Sequence, residues 1–93
     1  MEQHAEKRRY LARLAEELAK RELTAELTEG TKHPSVKVAN PDVPDLNERV
    51  LCDQADDGSW CYWWPWRQPI GSVDDLETVV GRVAWVLRSV EAL

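Results

Sequence analysis

The chain has 93 residues, of which 43% are hydrophobic and 31% charged, a balance typical of one folded domain rather than a disordered segment. Its net charge is −5, and residues 23–67 hold eight acidic but only four basic side chains, which excludes the long basic patch that binding to nucleic-acid phosphates requires. No apolar run is long enough to span a bilayer, and the charged N-terminal residues do not read as a signal peptide. We therefore expect residues 1–93 to form a single cytoplasmic domain that binds neither nucleic acid nor membrane.

The first predicted element is an amphipathic helix from about residue 3 to about residue 22. Its apolar positions recur at helical spacing and are Tyr10, Leu11, Leu14, Ala15 and Leu18. Alternation then replaces this spacing, and residues 24–28 and 35–39 predict two short strands joined by a turn at residues 29–32. The Pro-punctuated residues 42–47 are expected to form a connection.

The clearest predicted hairpin joins residues 49–54 to residues 60–64. Gly58 can adopt the left-handed conformation that closes a three-residue loop with a bulge. That loop length would pair Gln54 with Trp60, Cys52 with Tyr62, and Val50 with Trp64. A different loop length would shift every pair.

A second helix is predicted from the stretch that follows Pro69. Residues 72–75 resemble a helix N-cap with acidic side chains in the first turn, and the helix should run to about residue 91. Its wide apolar arc consists of Leu76, Val79, Val80, Val83, Val86, Leu87 and Val90. The element order α-β-β-β-β-α indicates an α+β fold, with an antiparallel four-stranded sheet and both helices packed on one face.

The aromatic strand divides its side chains between two faces of the predicted sheet. Trp60, Tyr62 and Trp64 share one parity and are expected in the core. Trp63 would then point outward beside Leu51, on a face that is normally polar in a monomer. An exposed apolar pair of this kind is typical of a protein contact, and a shallow ligand groove is the alternative.

Trp85 is the second candidate for an interaction residue. It lies nearly opposite the buried arc of the second helix, among small residues that include Gly81. Tryptophan is over-represented among the residues that dominate interface energetics. Leu51, Trp63 and Trp85 are therefore the candidate interaction residues, although the Trp85 ring could instead lie partly exposed along its own helix.

The segment between Pro65 and Pro69 offers a candidate ligand pocket. Arg67 stands beside Trp66, where a guanidinium can stack on the indole ring or bind an anionic group. Together with the Pro41–Pro44 loop, the residues expected to bound this pocket are Trp64, Trp66 and Arg67.

The sequence shows no pattern that supports catalysis. The only histidines are His4 and His33, and neither has sequence neighbours that would orient it as a general base. Cys52 and Cys61 lack the Cys-x-x-Cys spacing of zinc and redox sites. We expect both to be reduced thiols, with a cross-strand disulfide as the geometric alternative. Three acidic residues near the hairpin tip match no calcium loop: Asp53, Asp56 and Asp57. We expect no catalytic residue, no metal and no cofactor.

A resemblance extends over most of the chain. The chain resembles small uncharacterised proteins of high-GC actinobacteria in three places: the run Val38-Ala39-Asn40-Pro41, Cys52, and residues 60–66. That resemblance implies one compact bacterial domain. The order of helix, sheet and helix is also similar to dimeric secretion-chaperone-like folds, an analogy of fold alone.

These features together favour a protein that acts by binding. We expect a non-catalytic protein-interaction module, either a homodimer or an adaptor for one protein partner. The alternative is a small-molecule-binding protein that uses a Trp-lined pocket.

Overall fold

A computed structural model describes residues 2–28 and 33–88 of the chain. The elements, in chain order, are α1 (Glu2–Ala19), β1 (Thr24–Thr28), β2 (Ser35–Asn40), β3 (Val43–Gln54), β4 (Trp60–Trp63), β5 (Pro69–Ser72) and α2 (Leu76–Arg88). The predicted α+β class, with an antiparallel sheet and two helices, is confirmed. Neither of these helices has the length and apolar character needed to cross a bilayer.

The sheet has five strands in the order β1-β2-β3-β4-β5, so the prediction of four strands was wrong. The additional strand is β5, whose residues were assigned to no strand and whose last residue, Ser72, was placed in the predicted N-cap. Pro69 is compatible with this strand because β5 lies at the edge of the sheet, where a missing N–H leaves no ladder partner unsatisfied. Ile70, which follows it, is buried in the core.

β3 is longer than predicted and begins at Val43, within the residues expected to form a connection. A tight turn at Pro41 and Asp42 reverses the chain, and the Asp42 N–H donates to Asn40 Oδ1 over 2.9 Å. The pairing shifts register between Ala39 and Asn40. Since the turn needs only two residues, the chain re-enters the sheet before Pro44 rather than after it.

The α1 helix ends at Ala19, earlier than predicted, in a left-handed turn. The Leu23 N–H donates to the Leu18 carbonyl over 3.3 Å, and the Glu22 N–H donates to the Ala19 carbonyl over 3.1 Å. Glu22 has φ 64°, the conformation that glycine usually supplies at this position of a Schellman motif. The chain therefore leaves the helix three residues before the predicted end.

The α2 helix begins at Leu76, and Asp75 accepts the first helical hydrogen bond, from the Val79 N–H over 3.2 Å. The Ser72 hydroxyl accepts from the Asp74 N–H in a turn just before the helix. Asp74 and Asp75 precede α2, and the acidic residue of its first turn is Glu77, so the helix begins later than the predicted cap implied. The predicted turn at residues 29–32 and the predicted helix end near residue 91 lie outside the described residues.

The β3–β4 hairpin confirms the predicted pairs Gln54–Trp60 and Cys52–Tyr62. β4 ends at Trp63, so the ladder stops before the predicted pair of Val50 with Trp64. Gly58 has φ 88°, as the predicted loop requires.

The buried side chains form one hydrophobic cluster between the helices and the sheet. Its members on the helices are Leu11, Leu14, Leu18, Val79, Val80, Val83 and Leu87, and those on the strands include Val36, Val38, Val50, Cys52, Tyr62 and Ile70. Because both helices contribute to this cluster, they cover the same face of the sheet.

Two hydrogen bonds, one buried and one partly buried, join the helices to the sheet. The Tyr62 hydroxyl donates to the Tyr10 carbonyl of α1 over 2.6 Å. The Asn40 amide nitrogen, at the end of β2, donates to the Leu87 carbonyl near the end of α2 over 3.1 Å. Each bond therefore fixes one helix to the sheet at a defined point.

Candidate functional site: an aromatic cleft and an exposed helix face

The aromatic strand places its side chains mostly as its alternation predicts. Tyr62 and Trp64 are buried in the core. Trp60 is only partly buried, and its ring lies 5.7 Å from the ring of Tyr10 between centroids. Two of the three aromatic rings predicted in the core are therefore buried there, and the third lies at its margin.

A cleft of about 270 Å³ lies beside the C-terminal half of β3. Its walls include Leu51 and Trp63 from the sheet, together with Trp64 and Arg67 from the loop after β4. Two groups of candidate residues, one predicted for protein contact and one for ligand binding, thus meet in a single concavity. Its volume corresponds to about nine water molecules at roughly 30 Å³ each, enough for a ring-sized ligand.

Trp66, the third predicted pocket residue, does not line the cleft. Its ring stacks on that of Trp64, with centroids 5.3 Å apart and planes 6° apart, and the residue is 55% exposed. Among the described residues, none of those lining the cleft comes from the Pro41–Pro44 loop. The wall expected from that loop is supplied instead by His33 and Pro34, immediately before β2.

One side of the cleft carries a half-buried charge pair. Lys7 Nζ lies 3.7 Å from Asp53 Oδ1, and the lysine side chain is only 18% exposed. The indole N–H of Trp63 donates to the Asp53 carbonyl over 3.2 Å. Lys7 comes from the charged face of α1, and no spacing in the sequence relates it to β3. This contact could not have been foreseen from the sequence.

Arg67 stands in a strained backbone conformation at the rim of the cleft. Its φ is 67°, in the left-handed region that costs a non-glycine residue about 1–2 kcal/mol. Within the described part of the chain, no carboxylate lies within ion-pair distance of its guanidinium. A permanently charged group in a costly conformation, without an internal counter-ion, is a reasonable anchor for an anionic ligand.

Cys52 lines the cleft, where burial favours the neutral form of its thiol. Burial raises the pKa of its thiol to about 12, and the nearby Lys7 ammonium offsets this only in part. Cys61 pairs with Asp53 while Cys52 pairs with Tyr62, so the two cysteines point to opposite faces, and both are free thiols. The cross-strand disulfide is therefore absent. Across residues 2–28 and 33–88, no group of three His, Cys, Asp or Glu side chains is arranged to hold a metal ion.

Trp85 lies on the outer face of α2, the surface that carries Thr78, Gly81 and Trp85 and points away from the core. The residue is 61% exposed. The opposite side of the helix is buried, with Val79, Val83 and Leu87 fully inaccessible to solvent. Trp85 is therefore on the helix side of the molecule, whereas Leu51 and Trp63 belong to the cleft. The structure does not bring these three candidates together.

Comparison with protein-family models, with curated proteins and with solved structures finds no match for this chain.

Proposed function

We propose that the chain is a non-catalytic protein-interaction module that self-associates through an exposed aromatic surface. The observation that carries this proposal is Trp85, a large apolar ring that is 61% exposed on the outer face of α2. Exposed apolar surface of this kind usually marks a contact, and Trp is among the residues that dominate interface energies. Leu51 and Trp63 support the same proposal less strongly, because both are half-buried in the cleft.

Sedimentation equilibrium over a wide concentration range tests self-association. We expect the wild-type mass to rise from monomer to dimer with concentration, and Trp85→Ser to remain a folded monomer. Trp63→Ser is the matched comparison, because it removes an indole of equal size from the sheet side. A wild-type protein that stays monomeric at the highest concentration would contradict the proposal.

A second candidate function is small-molecule binding in the cleft. The observation that favours it is Arg67, which is held at φ 67° at the rim, beside Trp63 and Trp64. We propose a ring-sized organic acid as the ligand class, because the walls offer aromatic surface and one cation, Arg67, that has no carboxylate partner among the described residues.

Intrinsic fluorescence with benzoate as the probe tests this second candidate, with benzamide as the uncharged comparison. Benzoate should change the tryptophan emission at concentrations where benzamide does not. Arg67→Gln should abolish the change, whereas Arg13→Gln, an exposed arginine on α1, should leave it intact. Equal responses to the two probes would count against an anion site.

A further inference from the structure

Gly81 occupies an interior position of α2 where residues 2–28 and 33–88 show no packing reason for a glycine. Glycine is less favourable than alanine in a helix interior. A Cβ built on Gly81 would have no atom of these residues within 4 Å, so none of them requires its absence. Gly71 shows the contrast, because a Cβ there would lie 2.9 Å from Val79 Cγ2. Close packing between β5 and α2 explains Gly71, and nothing comparable explains Gly81.

The space over Gly81 adjoins the exposed Trp85 ring. The two residues are four positions apart, so they are neighbours along one side of the helix. The Trp85 ring does not fill the space itself, because none of its atoms lies within 4 Å of the Cβ position at Gly81. The outer face of α2 therefore presents a large apolar knob beside a gap.

We propose that a second copy of this chain docks antiparallel against the outer face of α2, so that Trp85 of each copy packs over Gly81 of the other. This inference rests on the proposed self-association and assigns its surface. Residues 81 and 85 lie two positions either side of residue 83, about 3 Å along the helix axis in each direction. A two-fold axis at the level of residue 83 consequently places each ring opposite the other copy's gap, and the contact is self-complementary and closed.

The proposed contact between the two α2 helices buries little surface, so the dimer should form only at high protein concentration. Each indole can bury about 150–250 Å². An interface built around two such rings is at the low end of specific protein contacts. The dimer should therefore dissociate on dilution, with a dissociation constant in the micromolar range or weaker.

Two measurements on one variant test the inference. Gly81→Leu fills the gap with a side chain that favours helix more than glycine does. The monomer, measured at low concentration, should gain about 4 °C or more in its unfolding midpoint. Its dimer dissociation constant, from sedimentation equilibrium, should rise by about tenfold or more, as should that of Trp85→Ser. Ala19→Leu adds a leucine at an exposed position of α1 and should leave the dissociation constant unchanged.

The possible failures are distinguishable. If the wild type dimerises and Gly81→Leu dimerises equally well, the contact lies elsewhere, and this inference is overturned while self-association stands. The same conclusion follows if Trp85→Ser alone abolishes the dimer, because the ring then docks on a different surface. If the wild type is monomeric at every concentration, both the inference and the proposed self-association are wrong.

Discussion

The β3–β4 and β4–β5 hairpin loops share one hydrogen-bonding pattern but have different residues at the position of positive φ. In the first, the Ala55 N–H donates to the Ser59 carbonyl over 2.8 Å and the Gly58 N–H donates to the Ala55 carbonyl over 2.9 Å. In the second, the Trp64 N–H donates to the Gln68 carbonyl and the Arg67 N–H donates to the Trp64 carbonyl, both over 2.9 Å. Glycine takes the left-handed position in the first loop, and Arg67 takes it in the second. The free-energy cost of a positive φ at a non-glycine residue therefore arises only in the second loop, at Arg67.

We expect Arg67→Gly to raise the free energy of unfolding by about 1 kcal/mol, because glycine adopts positive φ without strain. Urea unfolding followed by tryptophan fluorescence measures the change. Glu22→Gly is the matched comparison, since Glu22 has φ 64° at the end of α1 and does not line the cleft. It should give a similar gain without affecting benzoate binding. Absence of any gain at residue 67 would show that the loop conformation is not strained.

The buried Cys52 thiol makes stability depend on alkaline pH. Its folded pKa of about 12 lies above the ordinary value of 9.0, so the folded state holds this proton more tightly than the unfolded state does. The resulting stabilisation is complete below about pH 9 and is lost as the pH rises toward 12. Burial also raises the pKa of Tyr62 above its ordinary 10.0, which adds to the loss at higher pH. We expect Cys52→Ala to remove the part of the decline that begins near pH 9, as measured by urea unfolding at each pH.

At the scale of elements, α2 is held to the sheet at both ends. Gly71 of β5 packs closely on Val79, and the Arg82 guanidinium donates to the Ile70 carbonyl. At the far end, the buried Asn40 amide donates to the Leu87 carbonyl and its oxygen accepts from the Asp42 N–H. One side chain thus caps a turn and fixes a helix.

Asn40→Ala should lower the free energy of unfolding by about 1–3 kcal/mol, because the Leu87 carbonyl loses a buried hydrogen bond and the Asp42 N–H loses a partly buried one. Asn47→Ala is the matched comparison in the neighbouring strand, where the residue is exposed and its amide donates to the nearby Asp45 carbonyl over 3.2 Å. That substitution should change stability by less than about 0.5 kcal/mol. Equal losses at the two positions would show that the buried bonds contribute little.

Local patterns in the sequence predicted the elements that depend on local rules. The arcs around Leu14 and Val83 located both helices, and Gly58 fixed the hairpin register. β5 was missed because Pro69 and Gly71 are ordinarily strand breakers, and only an edge position and a closely packed helix accommodate them. The bond from Asn40 to Leu87 spans 47 residues of sequence, and no spacing rule connects residues so far apart.

The candidate sites show the same difference between features set by local sequence and features set by the fold. The exposure of Trp85 followed from its place on the helical wheel. The cleft did not follow, because its walls come from Lys7, His33 and β3, which are brought together only by the fold. The loop of residues 41–44 was expected at the pocket, but β3 begins within it. Sequence patterns therefore located surfaces on single elements and missed a concavity that several elements share.

For the whole molecule, stability depends on one small core to which α1 contributes three fully buried leucines: Leu11, Leu14 and Leu18. Domains of this size have about 5–15 kcal/mol of stability in total. Leu14→Ala should cost about 2–5 kcal/mol, since it removes buried methyl groups and leaves a cavity. Leu76→Ala, at a partly buried position of α2, should cost less. Unfolding midpoints in urea measure both, and a smaller loss at Leu14 than at Leu76 would contradict the observed core.

The order of the strands has a consequence for how the chain finds its fold. Every strand pairs with the one next to it in the chain, so each ladder closes through a short loop and loses little chain entropy on closure. Contacts between residues far apart in the sequence are made mainly by the helices, as in the hydrogen bond from the Tyr62 hydroxyl to the Tyr10 carbonyl. Mixed domains with mainly local contacts fold within about milliseconds. In stopped-flow refolding, we expect a millisecond phase in which Tyr62→Phe mainly accelerates unfolding, because the helix docks after the sheet has formed.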